Sequence, residues 1–419
     1  MQAAGGVDVS GESGVRGHGA TLGLVTVARL RGIPPTIFTE MSALALATGA
    51  VNLGQGFPDV DGPASVLEAA ATAMRTGANQ YAPGPGAPAL REAVSRHQER
   101  HYGLSWDPVS EIAVTTGATE AIAGALLGLV EPGDEVVLLE PYYDSYLAMI
   151  RMAGGVRRPV TLRAPDFRLD IEALRAAVSD RTRMILLNTP HNPTGTVLTA
   201  GELQAVAEVA IEHDLIVVTD EVYEHLTFGG VDAQGNRHVP IATLPGMRER
   251  TLTLSSLGKS YSLTGWKVGW AVGPAHLVGA VLAAKQWLTF TSGAPLQVAA
   301  AYALDAEPAW PGMLRDSLQE RRDLLCDGLR GIGLPTTTPQ GTYFATSDIS
   351  GLGWADGNAF CRALPERAGV VAIPVQGFYD PDRVLAQNPG RHLVRWAFCK
   401  RPDVLADAVE RLARADLSA

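Results

Sequence analysis

The chain has 419 residues, of which 46% are hydrophobic and 19% are charged, and its formal net charge is -10 at pH 7. This length predicts two or three domains, and the apolar content excludes a largely disordered chain. The acidic balance disfavours nucleic acid and anionic membranes as partners, because a negative surface repels both. A small-molecule ligand is therefore expected.

The N-terminal segment and the cysteines bear on the cellular compartment of the protein. The first twenty residues are rich in Gly, Ser and Ala and lack the apolar core of a signal peptide, and no apolar run approaches the roughly 20 residues of a membrane span. We interpret residues 1–21 as a flexible extension. Cys326, Cys361 and Cys399 are widely separated and form no CxxC pair, so neither a disulfide framework nor a zinc site is indicated. This cysteine usage predicts a cytoplasmic protein.

Short apolar runs alternate with helical patterns through the middle of the chain. The predicted strands are residues 111–115, 135–140, 183–188, 215–220 and 251–254. Such alternation predicts an α/β fold with a mainly parallel sheet covered by helices. Farther on, residues 311–329 are typical of a long helix, and residues 341–344 and 392–398 are typical of strands in a second αβ region.

Small or polar residues follow each of the five predicted strands. In chain order they are Gly117, Ala118 and Thr119; Tyr142 and Tyr143; Asn188 to Asn192; Asp220 and Tyr223; and Ser256 and Lys259. Ligands of parallel sheets bind at the carboxyl ends of the strands. Five such ends facing one cleft are more specific than any single motif.

The segment 255–270 carries two lysines, Lys259 and Lys267, eight positions apart among small residues. A lysine used as a nucleophile must lose its proton, which an apolar or cation-flanked setting favours. The second cation and nearby hydroxyls suit a phosphate, so the segment fits a phosphorylated aldehyde. A Ser/Gly loop with two solvated lysines explains the segment equally well when it is taken alone.

Four further segments have a distinctive sequence: VNLGQGFPD at 51–59, NQYAPGPG at 79–86, DEVYEHL at 220–226 and HLVR at 392–395. Together with the strand ends, they resemble the class I aminotransferases of the fold-type I pyridoxal-phosphate enzymes over residues 22–412. The resemblance is strongest to the branch of N-succinyldiaminopimelate aminotransferases and kynurenine/glutamine transaminases.

The resemblance implies a domain organisation. Residues 63–309 would form a large domain that binds pyridoxal phosphate (PLP) on a mainly parallel, seven-stranded sheet. Residues 310–419 would form a smaller C-terminal αβ domain. Residues 22–62 would form an N-terminal arm and part of the small domain.

The resemblance also implies catalytic roles, with pyridoxal 5'-phosphate as the cofactor. Lys259 matches the lysine that binds the cofactor covalently and moves the substrate's α-proton. Asp220 matches the carboxylate that pairs with the pyridine nitrogen, although a helix N-cap is an alternative. Tyr223 and Asn192 match the pair that binds the ring's phenolic oxygen, but Asn192 in an Asn-Pro-Thr-Gly sequence is also typical of a turn.

Further positions match residues that hold the cofactor. Gly117, Ala118 and Thr119 begin a helical pattern, where free N–H groups favour an anion, and Ser256 and Lys267 add a hydroxyl and a charge. Lys267 replaces the arginine of most relatives outside the branch. Tyr143 matches the aromatic that stacks on the ring, with a core aromatic as the alternative. The cofactor set also includes Asn188 and, from a neighbouring subunit, Tyr81, which implies a homodimer.

Arg395 lies in an apolar run, where an unpaired guanidinium would be costly to bury. The resemblance implies that it binds the substrate α-carboxylate with Gly56 and Asn192, and a structural salt bridge is the alternative. The implied reaction transfers an amino group between an L-amino acid and a 2-oxo acid, with glutamate and 2-oxoglutarate as one pair. N-succinyl-LL-2,6-diaminopimelate, in lysine biosynthesis, is the expected substrate. Kynurenine or glutamine transamination and a cysteine-conjugate β-lyase remain alternatives.

His97 and His101 have the i, i+4 spacing of metal ligands on a helix. They are surrounded by Arg96, Glu99 and Arg100, and the HExxH pattern is absent. The sequence therefore favours a solvated helix face, and no metal site is expected.

Overall fold

The structure is a computed structural model that describes residues 27–31, 33, 36–229 and 238–419. The predicted extension at residues 1–21 lies outside the described residues. The chain divides into two compact units, residues 1–34 and residues 35–419. The described part of the first unit contains a short 3-10 helix, Ala28–Leu30. All the elements described below belong to the second unit.

The second unit alternates strands and helices along most of its length. Its strands are β1 (Val51–Asn52), β2 (Ile112–Thr116), β3 (Glu135–Glu140), β4 (Val156–Thr161), β5 (Thr182–Asn188), β6 (Ile216–Asp220), β7 (Thr251–Ser256), β8 (Val268–Val272), β9 (Thr336–Thr337), β10 (Phe344–Asp348), β11 (Val370–Val371), β12 (Ile373–Pro374) and β13 (Leu393–Ala397). Its α-helices are α1 (Ile37–Thr48), α2 (Ala64–Arg75), α3 (Pro88–Tyr102), α4 (Gly117–Leu129), α5 (Asp144–Ala153), α6 (Ile171–Ala177), α7 (Ala200–Glu212), α8 (Leu257–Ser260), α9 (Ala275–Lys285), α10 (Ala294–Ala306), α11 (Trp310–Gly331), α12 (Gly357–Ala368) and α13 (Pro402–Arg414).

The large sheet has seven strands in the order β2-β8-β7-β6-β5-β3-β4. Only β8 runs against its two neighbours, and the other pairings are parallel. Along β5, Ile185 and Leu187 pack into one hydrophobic cluster while Met184 and Leu186 pack into another. The sheet is therefore buried on both faces, which explains why its central strands are continuous apolar runs. The predicted α/β fold with a mainly parallel, seven-stranded sheet is confirmed.

The five predicted strands match β2, β3, β5, β6 and β7, with shifts of up to two residues at their ends. Two other strands of this sheet, β4 and β8, were not predicted. β4 contains two arginines and a proline, and it lies at the sheet's edge, where charged residues and proline are tolerated. β8 continues directly from the lysine segment, whose glycines obscured its apolar pattern.

The C-terminal region contains a four-stranded antiparallel sheet in the order β12-β13-β10-β9, and β1 pairs in parallel with β11. The long helix and the strand at 392–398 are confirmed as α11 and β13. The strand at 341–344 was placed too early, because Thr342 has a φ of +66°, which interrupts an extended backbone before β10 begins. The domain boundaries at 62/63 and 309/310 stay predictions. Among the described helices, none is both long and apolar enough to cross a membrane.

Helix α3 corrects the interpretation of its histidines. His97 is only 2% exposed, and the prediction of a solvated face is wrong for it. Its position continues the helix's buried stripe at i, i+3, i+4, i+7 and i+8, formed by Leu90, Ala93, Val94, His97 and Gln98. His101, one turn later, is exposed as expected.

Candidate active site

A cavity of about 230 Å³ lies at the carboxyl ends of the large sheet's parallel strands. It brings together every predicted site residue except Tyr81. Those residues are Gly56, Gly117, Ala118, Thr119, Tyr143, Asn188, Asn192, Asp220, Tyr223, Ser256, Lys259, Lys267 and Arg395. The sheet topology explains this convergence, since parallel strands deliver their following residues to one edge.

Lys259 lies in the one-turn helix α8 that directly follows β7. Its Nζ donates hydrogen bonds to the Tyr343 hydroxyl at 2.9 Å and to the Gly56 carbonyl at 3.4 Å. Burial lowers the pKa of Lys259 to about 8. With this pKa, Lys259 is a neutral amine in about a tenth of the molecules at pH 7. The alternative of a solvated lysine is therefore wrong for Lys259, which is suited to act as a nucleophile.

Asp220 is the last residue of β6 and is buried. One carboxylate oxygen accepts a hydrogen bond from the Tyr146 hydroxyl at 2.7 Å, and the other accepts one from the Val222 backbone N–H at 3.3 Å. Burial raises the pKa of Asp220 to about 6, although the Tyr146 hydrogen bond opposes this rise. A cationic ligand group beside Asp220 would favour the charged carboxylate.

Two asparagines and a tyrosine form the adjoining wall. The Asn188 side chain accepts the Asn192 backbone N–H at 2.8 Å and donates to the Asp220 carbonyl at 2.8 Å, so it braces the ends of β5 and β6. The Tyr223 ring packs edge-on against Tyr343, with 5.2 Å between ring centres. Burial raises the pKa of Tyr223, which keeps its hydroxyl protonated as a hydrogen-bond donor.

Near Lys267, the cavity wall is formed by two backbone segments that lie unusually close together. Gly117 has a φ of +72° where β2 turns into α4, and a Cβ there would lie 3.0 Å from Lys267 Nζ. A Cβ on Gly269 would lie 2.6 Å from the Gly117 carbonyl carbon. The glycines therefore let the first turn of α4, Lys267 and β8 converge, and Lys267 Nζ approaches Thr119 Oγ1 at 3.5 Å. Free N–H groups beside a lysine fit a phosphate group.

Arg395 lies in the centre of β13 and is fully buried. Its guanidinium donates to Asn192 Oδ1 at 3.0 Å and to the Gly54 carbonyl at 2.7 Å, and its central carbon lies 3.8 Å from the ring centre of Phe344. No carboxylate of the described residues pairs with it, so the structural salt bridge is wrong. Burial lowers the pKa of Arg395 to about 10, which leaves it cationic at neutral pH and in need of an external anion.

Sequence reasoning missed several residues of this site. Tyr146 contacts Asp220, Tyr343 contacts Lys259, and Phe38 and Phe344 flank Arg395. Tyr146 lies one helical turn after Tyr143, so i, i+3 spacing was an available signal. Phe38 and Tyr343 come from distant segments, and no local pattern indicates their approach.

A nucleophilic amine and a phosphate cradle that line one cavity of about 230 Å³ are what a phosphorylated aldehyde cofactor requires. The fold and site together define a fold-type I enzyme that depends on pyridoxal phosphate.

Comparison with known proteins narrows this class. The profile of the family "Aminotransferase class I and II" matches residues 48–391, and the chain belongs to this family. A probable N-succinyldiaminopimelate aminotransferase DapC of Mycobacterium tuberculosis is 53% identical over 93% of this chain and 98% of its own length. A methionine aminotransferase of Escherichia coli is 42% identical over 93% of this chain and 98% of its own length. A solved N-succinyldiaminopimelate aminotransferase from M. tuberculosis, 54% identical, superimposes with a TM-score of 0.88 over 93% of this chain and 99% of its own. The protein is thus a PLP-dependent aminotransferase acting on amino acids and 2-oxo acids.

Proposed function

We propose that the enzyme is an N-succinyl-LL-2,6-diaminopimelate aminotransferase of lysine biosynthesis, with glutamate and 2-oxoglutarate as the second substrate pair. The supporting observation is the 53% identity to the probable mycobacterial enzyme, which extends over almost the full length of both chains. The buried, unpaired Arg395 supports the more general point that a carboxylate must enter this cavity.

In this proposal Lys259 and Asp220 carry the chemistry. When bound, pyridoxal phosphate supplies an aldehyde for the lysine amine and a ring that stabilises negative charge at the substrate α-carbon. Lys259 Nζ holds the cofactor and later moves the α-proton, for which its lowered pKa suits it. Asp220 holds a proton on the ring nitrogen, and Tyr146 orients its carboxylate.

The remaining walls position the cofactor. The first turn of α4, Ser256 and Lys267 bind the phosphate, and Tyr143 stacks on the ring. Tyr223 and Asn192 bind the phenolic oxygen, and Asn188 holds the Asn192 backbone in place. The common feature of this set is that each member lines the same cavity.

Arg395 recognises the α-carboxylate that the amino acid and the 2-oxo acid have in common. Its guanidinium binds the α-carboxylate of both the amino acid and the 2-oxo acid, and Asn192 Oδ1 fixes one of its nitrogens. Gly56 was expected in this clamp, but the backbone contact to Arg395 comes from Gly54, whereas the Gly56 carbonyl accepts from Lys259 and Tyr343. Gly56 would bound the substrate through its position in the cavity wall.

The substrate assignment is tested by mixing PLP-loaded enzyme with one amino acid at a time and following the cofactor's absorbance. We expect amination of the cofactor to be fastest, at equal concentration, with N-succinyl-LL-2,6-diaminopimelate. Methionine, kynurenine, glutamine and glutamate are the comparison substrates. Faster reaction with methionine or kynurenine would overturn this assignment while leaving the aminotransferase class intact. Pyruvate release from a cysteine conjugate at a comparable rate would favour the β-lyase.

Tyr81 supports a homodimer with shared sites. Tyr81 is 85% exposed and lies outside the cavity, with its ring centre 5.5 Å from that of Phe290, and Trp287, three residues before Phe290 in the chain, is 83% exposed. Large exposed aromatics of this kind are typical of a protein interface. We place Tyr81 at the phosphate of the partner subunit's cofactor.

Mixed dimers test this arrangement. A Lys259→Ala chain exchanged with a Tyr81→Ala chain would give hybrid dimers in which one site has both residues. Random exchange should restore about a quarter of the wild-type sites. We expect activity above that of either parent, and no gain after exchange would contradict the shared site.

The state of the cysteines supports a proposal for the cellular location. Cys326, Cys361 and Cys399 are free and buried in the structure. Unpaired thiols are typical of a reducing compartment, and we place the enzyme in the cytoplasm.

A further inference from the structure

Three histidines converge outside the active-site cavity. His97 and His101 lie one turn apart on α3, and His225 lies in the segment after β6, so that one ring nitrogen from each falls within 4.8 Å of the others. His225 lies more than a hundred residues after this pair in the sequence, so the sequence did not indicate the cluster. We propose that His97, His101 and His225 form a binding site for a divalent transition-metal ion of the Zn²⁺ type.

The geometry of the three rings is close to that of a metal site. The ring centres of His97, His101 and His225 are 4.6 to 5.0 Å apart, and the Nε2 atoms of His97 and His225 are 2.8 Å apart. Zinc bonds of about 2.0–2.1 Å in a tetrahedral site place ligand nitrogens about 3.3 Å apart. The buried ring of His97 and the half-buried ring of His225 therefore need to separate by only about half an ångström to admit an ion between their Nε2 atoms.

One buried atom of this cluster has no partner. Nδ1 of His97 makes no hydrogen bond to any described residue, although the side chain is 2% exposed. With its proton on Nδ1, the His97 ring directs the Nε2 lone pair at His225, whose Nε2 it meets in a hydrogen bond of 2.8 Å. A metal ion between these two nitrogens would replace that hydrogen bond, with the proton of His225 moved to its own Nδ1.

The charges around the rings suit neutral ligands. Burial lowers the pKa of His101 to about 4 and that of His225 to about 3, so both imidazoles are neutral at neutral pH. Neutral imidazole is the form that binds metal. Arg100 adds positive charge beside the cluster, and the carboxylate of Glu224 offsets it next to His101.

Exposure of His101 leaves one side of the cluster open to solvent, where water would supply a fourth ligand.

A bound ion would connect α3 to the segment that carries Tyr223, two residues before His225. Glu224, between them, accepts hydrogen bonds from Ser255 and Tyr102. The ion would thus stabilise the segment that carries Tyr223 in the cavity wall, without entering the reaction.

The test uses untagged, PLP-loaded enzyme that has been treated with a chelator and freed of unbound cofactor. Titration with Co²⁺, which absorbs visibly in four-coordinate sites, should show one ion per chain, and Zn²⁺ should displace it and raise the melting temperature. His101→Gln should weaken binding at least about tenfold and remove the melting shift. The variant should fold normally because His101 is exposed.

His213→Gln is the matched control, since His213 is also exposed but lies at the end of α7, outside the cluster. It should bind Co²⁺ like the wild type. The proposal is overturned if the wild type binds no more Co²⁺ than His101→Gln does, or if His213→Gln loses binding to the same extent.

Discussion

Replacement of Lys259 by alanine should lower aminotransferase turnover by at least about 10⁴-fold. Two functions are lost together, since Nζ both holds the cofactor and moves the α-proton. The phosphate cradle at Gly117, Thr119 and Lys267 remains, so the variant should still bind pyridoxal phosphate, but with the absorbance of the free aldehyde. Turnover with glutamate and 2-oxo acids, measured beside the absorbance spectrum, checks both expectations.

Lys259→Arg is the charge-preserving control. A guanidinium keeps its proton throughout the accessible pH range and is neither a nucleophile nor a base, so this variant should be as inactive as Lys259→Ala. Comparable melting temperatures for all three proteins would exclude misfolding as the cause. Turnover within tenfold of wild type in either variant would remove Lys259 from the mechanism.

Arg395→Gln should reduce kcat/KM by about 10²–10⁴-fold for the amino acid and equally for the 2-oxo acid. The carboxylate common to both substrates loses two charge-assisted hydrogen bonds, each contributing about 1.5–3 kcal/mol. Affinity for the cofactor should change much less, because Arg395 makes no hydrogen bond to the phosphate cradle and touches the proposed cofactor site only through Asn192. Steady-state kinetics for each half-reaction, with a cofactor titration, measures the difference.

Arg395→Lys keeps the charge but loses the planar fork, so its kcat/KM should fall between those of the wild type and Arg395→Gln. Protein stability separates a substrate-binding role from a structural one. A large drop in melting temperature with unchanged kcat/KM would show that Arg395 serves the fold.

The sequence predicted those parts of the fold that have a strong local signal. Central strands such as β5 are continuous apolar runs because both faces are buried, and their boundaries were close to those observed. The edge strand β4 and the reversed strand β8 were missed, since their residues reflect their position in the sheet, which is a long-range property. The start of β10 was misplaced because a left-handed Thr342 is not apparent from its neighbours.

The site was predictable where chemistry follows directly after a strand. Asp220 ends β6 and Lys259 follows β7, and these two strands are neighbours in the sheet. Arg395 was recognisable as a single cation in an apolar run. Phe38 and Phe344 reach the same cavity from other parts of the chain, and Tyr343 contacts Lys259 from behind its wall. The burial of His97 was likewise hidden, since the charged neighbours on its helix face solvent while its own side faces the core and His225.

If Lys259 holds the cofactor, chemical trapping should find the cofactor attached to that residue. Borohydride reduction of the PLP-loaded enzyme fixes the cofactor to the amine that binds it, and digestion with mass spectrometry locates the label. The chain has four lysines, Lys259, Lys267, Lys285 and Lys400. We predict one cofactor per chain on the peptide that contains Lys259. A label on any of the other three lysines, or no label after reduction, would show that Lys259 does not hold the cofactor.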